Sequence, residues 1–243
     1  MIRGSAQGQI RPGVFAFTSA WYRIENKADQ AIARVYIYNH IGFDGVTAQD
    51  FVAEIGQLQT SQIELHLNTP GGDVADALAI YNAVKDHPAD VTAIVDGEAA
   101  SAGSFIFQAA DTRVMNSFSI LMIHDAAIGM TIGNAKDHRE VADMLDKYSD
   151  NIAAIYASRA GGSADYWRTQ LQAETFYTAD EALAAGLADE VRIPLNDRTV
   201  DLKTSVPAPV PVAEPVEAAN PWAAIDFHSL IALTGAQQGK VSG

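Results

Sequence analysis

The main constraint on the fold is a regular alternation of two hydrophobic patterns between residues 31 and 125. The strand-like segments are ARVYIYN, QIELHLN, VTAIVDG and SILMIHD, and between them lie the helix-like segments VTAQDFVAEIGQL, DVADALAIYNAVKD and SAGSFIFQAA. Strands that alternate with helices at this spacing predict βαβ units with right-handed crossovers. We therefore expect an α/β fold with a largely parallel sheet.

A long helix is predicted over residues 135–160. Its apolar residues recur at three- and four-residue steps and form one stripe: Val141, Met144, Leu145, Tyr148, Ile152, Ile155 and Tyr156. The pair Gly161-Gly162 then predicts a C-cap. Two interpretations of the stripe stay open, because it can pack on the core of its own chain or on another subunit.

The composition divides the chain into four parts. Residues 1–30 are expected to form an irregular, partly extended arm, and residues 31–202 the folded domain. Five of the nine prolines fall in residues 203–221, which predicts an extended linker. Residues 222–243 include the apolar segment WAAIDFHSLIAL, which is typical either of a disordered end or of a peptide that docks on a partner.

Charge and composition exclude several classes of function. The 243 residues carry a net charge of −14 and no concentrated basic face, so a phosphate backbone would be repelled. The absence of cysteine excludes thiolate catalysis and Cys-ligated zinc, and no HExxH or similar spacing indicates another metal site. No apolar run reaches the roughly 20 residues of a membrane span, and the first 13 residues lack a signal-peptide core.

One candidate for chemistry is the glycine pair in LNTPGGDVADALAIY. Gly71 and Gly72 lie between a predicted strand and a predicted helix, where they allow a tight turn with exposed N–H groups. Such groups suit an anion or a developing oxyanion. The alternative is an ordinary turn in which Asp73 caps the helix. The segment matches neither a Walker A loop nor GxGxxG.

A serine and a histidine form the second candidate. Ser101 begins a helix directly after a strand, a placement similar to the nucleophile elbow of hydrolases, and the N–H of Ala102 can face it. A lone serine there is more often an N-cap. His124 closes an apolar strand, where a structural histidine is the alternative. Asp125 is next to it, but neighbouring strand side chains point to opposite faces. Glu174 is another candidate acid, and spacing alone does not choose it.

Taken together, these motifs resemble the caseinolytic protease P (ClpP) family of serine peptidases. The resemblance rests on NTPGGDVADALAIYNAV, GEAASAGSF, LMIHDA and ETFYTADEALAAGLADEV, and it covers roughly residues 31–192. Within the family, the chain looks closest to the head maturation (prohead) proteases of tailed bacteriophages. The basis is the opening segment SAWYRIENKADQAIARVYIYNHIGFDGVTAQDFVAEI and the PGGDV form of the glycine loop.

The resemblance implies roles for individual residues. Ser101 corresponds to the family's nucleophile and His124 to its general base. Glu174 stands where the family pattern has an aspartate, so a longer carboxylate would orient the imidazole. Gly72 and Ala102 match the donors of the oxyanion hole. Substrate-binding positions are expected around these motifs, at Gly71, Asp73, Val74 and Asp125.

The resemblance also implies a ClpP/crotonase-like fold with a long protruding helix and a homo-oligomeric ring joined partly through that helix. The expected activity is ATP-independent endoproteolysis without cofactor or metal. Phage members imply capsid or scaffold precursors as substrates, in the bacterial host cytoplasm or inside the prohead, with the tail docking on such a partner. No nucleic-acid or membrane partner is expected.

Three rival interpretations remain. A crotonase-type acyl-CoA enzyme shares the fold and the backbone oxyanion donors but does not need Ser101 and His124 together. A peptidase of the signal-peptide-peptidase type would pair serine with lysine, and these motifs contain no lysine. A catalytically inactive scaffold or capsid-interaction protein would use the Pro-rich tail.

Overall fold

The computed structural model describes residues 21–26, 31–42 and 47–193, and this part of the chain contains eight strands and six helices. The strands are β1 (Tyr22–Glu25), β2 (Ile32–Tyr38), β3 (Gln62–Thr69), β4 (Asp90–Ala100), β5 (Thr112–Asn116), β6 (Ile120–Ile123), β7 (Thr175–Thr178) and β8 (Glu190–Arg192). The helices are α1 (Ala48–Ile55), α2 (Val74–Lys85), α3 (Ala102–Phe107), α4 (Ala135–Ala160), α5 (Ala164–Gln172) and α6 (Ala179–Ala184).

The strands form one mixed sheet, which confirms the α/β prediction. Its main path runs β1-β2-β3-β4-β5-β8, and every pair after the antiparallel β1–β2 pair is parallel. Strand β4 has two successive neighbours on one side. Its first half pairs with β5, and its last residues, 98–100, pair with β6, which in turn pairs antiparallel with β7. The fork brings the end of β6 beside the end of β4.

Alternating side chains on the central strands form the core. Residues such as Val35, Leu65 and Ala93 are fully buried on one face, and they share a single apolar cluster with Phe51 of α1 and Ile80 of α2. This alternation is the period-two pattern that the strand-like segments showed in sequence.

Helix α4 has the predicted bounds, and its C-terminal end at Gly161, with φ +79°, agrees with the predicted C-cap. The apolar stripe divides into two parts. Ile152, Ile155 and Tyr156 are buried in the core, whereas Met144 is 42% exposed. Packing on the core of the same chain therefore accounts for the C-terminal half of the stripe only.

The segment before residue 31 contains part of the sheet. Strand β1 pairs with β2, and Trp21 is buried and stacks on Phe51 with ring centroids 5.8 Å apart. The predicted linker at residues 203–221 and the tail at 222–243 lie outside the described residues. No helix in the described part of the chain is long and apolar enough to cross a membrane.

Candidate active site

Ser101 lies in a sharp turn between β4 and α3. Its backbone has φ +50° and ψ −119°, a conformation that costs a non-glycine residue about 1–3 kcal/mol. The residue occupies the N-cap position of α3, yet its side chain makes no capping hydrogen bond. The N-cap alternative therefore describes the position of Ser101 but not the use of its hydroxyl.

The Ser101 hydroxyl instead meets His124. The Nε2 atom of His124 lies 2.7 Å from Oγ of Ser101, although 23 residues separate them in sequence. The fork in the sheet produces this contact, because Ala100 at the end of β4 pairs with Met122 of β6, and the N–H of Ser101 donates to the Met122 carbonyl at 2.9 Å. The hydroxyl and imidazole form the hydrogen bond that a serine nucleophile and its general base require.

The glycine loop packs directly against this turn. Gly71 has φ +98°, and a Cβ atom added to it would lie 2.8 Å from both the backbone nitrogen of Ala102 and Cβ of Ser101. A Cβ on Gly72 would lie 2.1 Å from the Ile41 carbonyl oxygen. No side chain fits at either position, and the loop backbone packs against the serine turn at Gly71.

The turn alternative for this loop is correct in one respect. The Asp73 side chain caps α2 by accepting from the Asp76 N–H at 2.9 Å. The Gly71 N–H is also occupied, since it donates to Oγ1 of Thr69 at 3.0 Å. The N–H groups of Gly72 and Ala102, by contrast, donate to no acceptor within the described residues. They are the donors left for a substrate oxygen.

A pocket of about 70 Å³ opens beside Ser101 and His124. Its remaining walls come from the glycine loop, α2, α3, α4 and the segment after β6: Gly72, Val74, Phe105, Asp125, Ala126, Ala127, Ile152 and Tyr156. The Tyr156 hydroxyl lies 2.7 Å from Oγ of Ser104 in the interior, and burial raises the pKa of this phenol, which therefore stays neutral.

Sequence reasoning did not identify Phe105, Ile152 or Tyr156 as parts of the site. The available signal was the four-residue spacing of Ile152 and Tyr156 in the apolar stripe, which indicates one helix face but not which cavity that face lines. The pocket wall explains why this part of the stripe is apolar.

Glu174 lies near the expected place without a contact to the histidine. Strands β6 and β7 pair Ile123 with Thr175, so the same register places Glu174 opposite His124, one step beyond the ladder. Glu174 has φ +51° and is exposed, and no hydrogen bond joins its carboxylate to His124. Ser101 and His124 are thus brought together, and the role of Glu174 stays a prediction.

Asp125 lines the same pocket as His124, because β6 ends at Ile123 and strand alternation no longer applies. Its Oδ2 lies 3.3 Å from Nη2 of Arg168, while its Oδ1 is buried and has no hydrogen-bond partner within the described ranges. Burial raises the pKa of this carboxyl, and Arg168 and Ser149 oppose the rise. No cluster of three or more His, Asp or Glu side chains suited to a metal occurs among the described residues.

A family model named Clp protease matches residues 20–194. The match spans all four motif segments and most of the chain. The chain belongs to the Clp protease family. Membership agrees with the mixed sheet described above, and it places the chain among serine-type peptidases that act on protein substrates. The match begins at residue 20, just before Trp21 and β1, so the family domain includes the end of the segment predicted as an arm.

Proposed function

We propose that this Clp protease family member is a serine endopeptidase that cleaves peptide bonds through an acyl-enzyme. The observation that carries the proposal is the 2.7 Å contact between Ser101 Oγ and His124 Nε2. His124 takes the hydroxyl proton as Oγ attacks the scissile carbonyl, and it then gives that proton to the leaving amine. Water, deprotonated by the same histidine, hydrolyses the ester and restores Ser101.

The glycine loop supplies the electrostatic part of the reaction. The N–H groups of Gly72 and Ala102, on either side of the Ser101 turn, have no acceptor among the described residues. In the proposed mechanism they donate to the oxyanion of the tetrahedral intermediate, and each such donor typically contributes ~10²–10³ in rate.

Glu174 is proposed as the acid that orients His124. Support comes from the β6–β7 register, which puts the two residues at opposite positions of neighbouring chain segments. A change in the Glu174 side chain or its strained backbone is needed before the carboxylate reaches the imidazole. Substrate binding is proposed along Gly71, Asp73 and Val74, with a substrate side chain in the pocket that Asp125 helps to line.

The finer biological role is also a proposal. The opening segment and the PGGDV loop support a phage head maturation protease that cleaves capsid or scaffold precursors in an ATP-independent reaction, in the host cytoplasm or inside the prohead. The half-exposed stripe of α4, which includes Met144, supports a homo-oligomeric ring. Light scattering that shows only a 26 kDa monomer at micromolar concentration would contradict the ring.

Labelling with a fluorophosphonate followed by peptide mapping tests nucleophile and enzyme class together. We expect the label on Ser101, and we expect Ser101→Ala to lose labelling and to lower peptide turnover by about 10⁶-fold. Ser158→Ala is the matched control, because Ser158 lies on α4 and its hydroxyl donates to the Ile155 carbonyl, away from the site. Label on another residue, or undiminished turnover by Ser101→Ala, would contradict the proposal. Thioester turnover that survives Ser101→Ala would indicate a crotonase-type enzyme instead.

A further inference from the structure

The chain just after His124 is tied to two helices. The N–H of Asp125 donates to the Leu171 carbonyl of α5 at 3.2 Å. The N–H of Ala126 donates to Oγ of Ser149 on α4 at 2.9 Å, and Ser149 is buried. The backbone position of the histidine is therefore set from the side of α4 and α5, not only by the sheet.

Arg168 of α5 adds an ionic contact to the same segment. Its Nη2 lies 3.3 Å from Oδ2 of Asp125 and 2.6 Å from Oδ1 of Asp146, and its Nη1 lies 3.7 Å from Oδ1 of Asp150. The Arg168 side chain is only 17% exposed, whereas Asp146 and Asp150 on α4 are 68% and 71% exposed. The guanidinium thus bridges α4 to the residue that follows the general base.

Asp125 depends on this bridge more than the other two carboxylates do. Its Oδ1 is buried with no hydrogen-bond partner among the described residues, and burial raises the pKa of the carboxyl. Of the groups that face Asp125, Arg168, Ser149 and His124 favour its ionised form, and Asp146 disfavours it. Because His124 and Asp125 interact, an ionised Asp125 also favours the imidazolium that forms when Ser101 attacks.

We propose that Arg168 is a positioning residue for the peptidase reaction, acting through Asp125 to hold the segment that carries His124. The inference rests on the proposed role of His124 as general base. Arg168 contacts neither Ser101 nor His124 in any hydrogen bond or ion pair of the described residues. Its effect is therefore on the orientation and charge environment of the imidazole.

The first experiment compares Arg168→Gln with Arg168→Lys. We expect Arg168→Gln to lower kcat about 10- to 100-fold with little change in KM, because a small displacement of a catalytic group costs rate more than binding. The acid limb of the kcat/KM profile should move to higher pH. Arg168 lowers the pKa of Asp125, so without the guanidinium Asp125 becomes protonated at a higher pH than it does in the parent. Arg168→Lys, which keeps the positive charge, should recover part of kcat. Arg139→Gln is the control, an exposed arginine on α4.

A double-mutant cycle with Asp125→Asn decides whether Arg168 acts through Asp125. We expect the double variant to lose about as much kcat as Asp125→Asn alone. Additive losses, or a pH profile in Arg168→Gln that matches the parent, would overturn the inference. If Arg168→Gln does not fold, Arg168→Lys takes its place in the cycle, with the same two outcomes.

Amide hydrogen exchange gives a readout that does not need activity. Peptides that cover residues 124–127 should exchange faster in Arg168→Gln than in the parent, while peptides of β2 should not change. Absence of labelling and turnover in the parent would reject the proposed peptidase function. In that case unchanged exchange in residues 124–127 would separately reject the proposal that Arg168 holds this segment, and faster exchange would support it.

Discussion

The two halves of the candidate site are held in different ways. The glycine-loop half is made of backbone, since Gly71 and Gly72 leave no room for a Cβ atom. In the part of the chain that the structure describes, the N–H groups of Gly72 and Ala102 also meet no acceptor. The histidine half depends on side chains from α4 and α5, which reach the chain after His124 through Ser149 and a partly exposed ionic cluster.

The difference has a physical consequence. Backbone dipoles in a packed turn are fixed once the chain has folded, so the oxyanion half is preorganised and insensitive to pH or salt. Ion pairs respond to both conditions, and Oδ1 of Asp125 is buried with no hydrogen-bond partner among the residues that the structure describes. Asp96 on β4 is the opposite case, because its pKa is lowered whereas the pKa of Asp125 is raised. It accepts from Tyr38 and Asn116 and contacts His66, and hydrogen bonds from His66 and Tyr38 lower its pKa despite burial.

After Ser101→Ala, the largest effect is expected from Glu174→Gln, which tests whether the histidine half is completed by the acid opposite His124. A neutral amide does not stabilise the imidazolium and does not fix the productive tautomer, so kcat should fall about 10³- to 10⁴-fold. Steady-state hydrolysis of a peptide at saturation measures it.

Glu190→Gln is the matched control, because Glu190 is an exposed carboxylate on β8, across the sheet from the site. A kcat for Glu174→Gln within about threefold of the parent would remove Glu174 from the triad. The histidine half would then rely on the α4–α5 contacts alone.

A smaller loss is expected from Gly71→Ala, which tests the backbone half. The added Cβ would meet the Ala102 nitrogen and the Ser101 Cβ at 2.8 Å in a backbone with φ +98°. The turn must shift, so the oxyanion donors move and kcat should fall about 10²-fold. Gly129→Ala is the control, because a Cβ there has nothing within 4 Å. Parental kcat in a folded Gly71→Ala enzyme would show that the loop tolerates displacement and is not the rigid half.

The sequence predicted the parts of this site that depend on local patterns. Hydrophobic alternation predicted β2, β3 and α2 to within about two residues, whereas β4 runs three residues beyond the predicted segment VTAIVDG, to Ala100. Asp73 is the N-cap that its position suggested. Local physics favoured Ser101 as an N-cap, and only the pairing of β6 with the end of β4 supplies the histidine that its hydroxyl meets.

The missed features are long-range. Strand β5 is short and contains a charged residue, Arg113, so its sequence does not show a strand pattern. Arg113 is nevertheless buried, because Asp189, 76 residues away, pairs with its guanidinium. The contact between Arg168 and Asp125 likewise joins residues 43 positions apart on different elements. The positive φ of Glu174 is set by the tertiary course of the chain into β7 and not by a residue type that favours it.

The smallest effect is expected in the response of kcat to salt. This response compares the glycine-loop half and the histidine half most directly. Raising the ionic strength from about 0.1 M to about 1 M shortens the Debye length from about 10 Å to about 3 Å, which weakens partly exposed ion pairs. With an uncharged peptide substrate, kcat of the parent should fall about two- to threefold, a change that corresponds to the usual strength of such pairs. Gly71→Ala retains the ionic cluster and should show the same fractional fall, whereas Arg168→Gln should show almost none. An equal fall in all three enzymes would mean that salt acts elsewhere, and the histidine half would then be as rigid as the glycine loop.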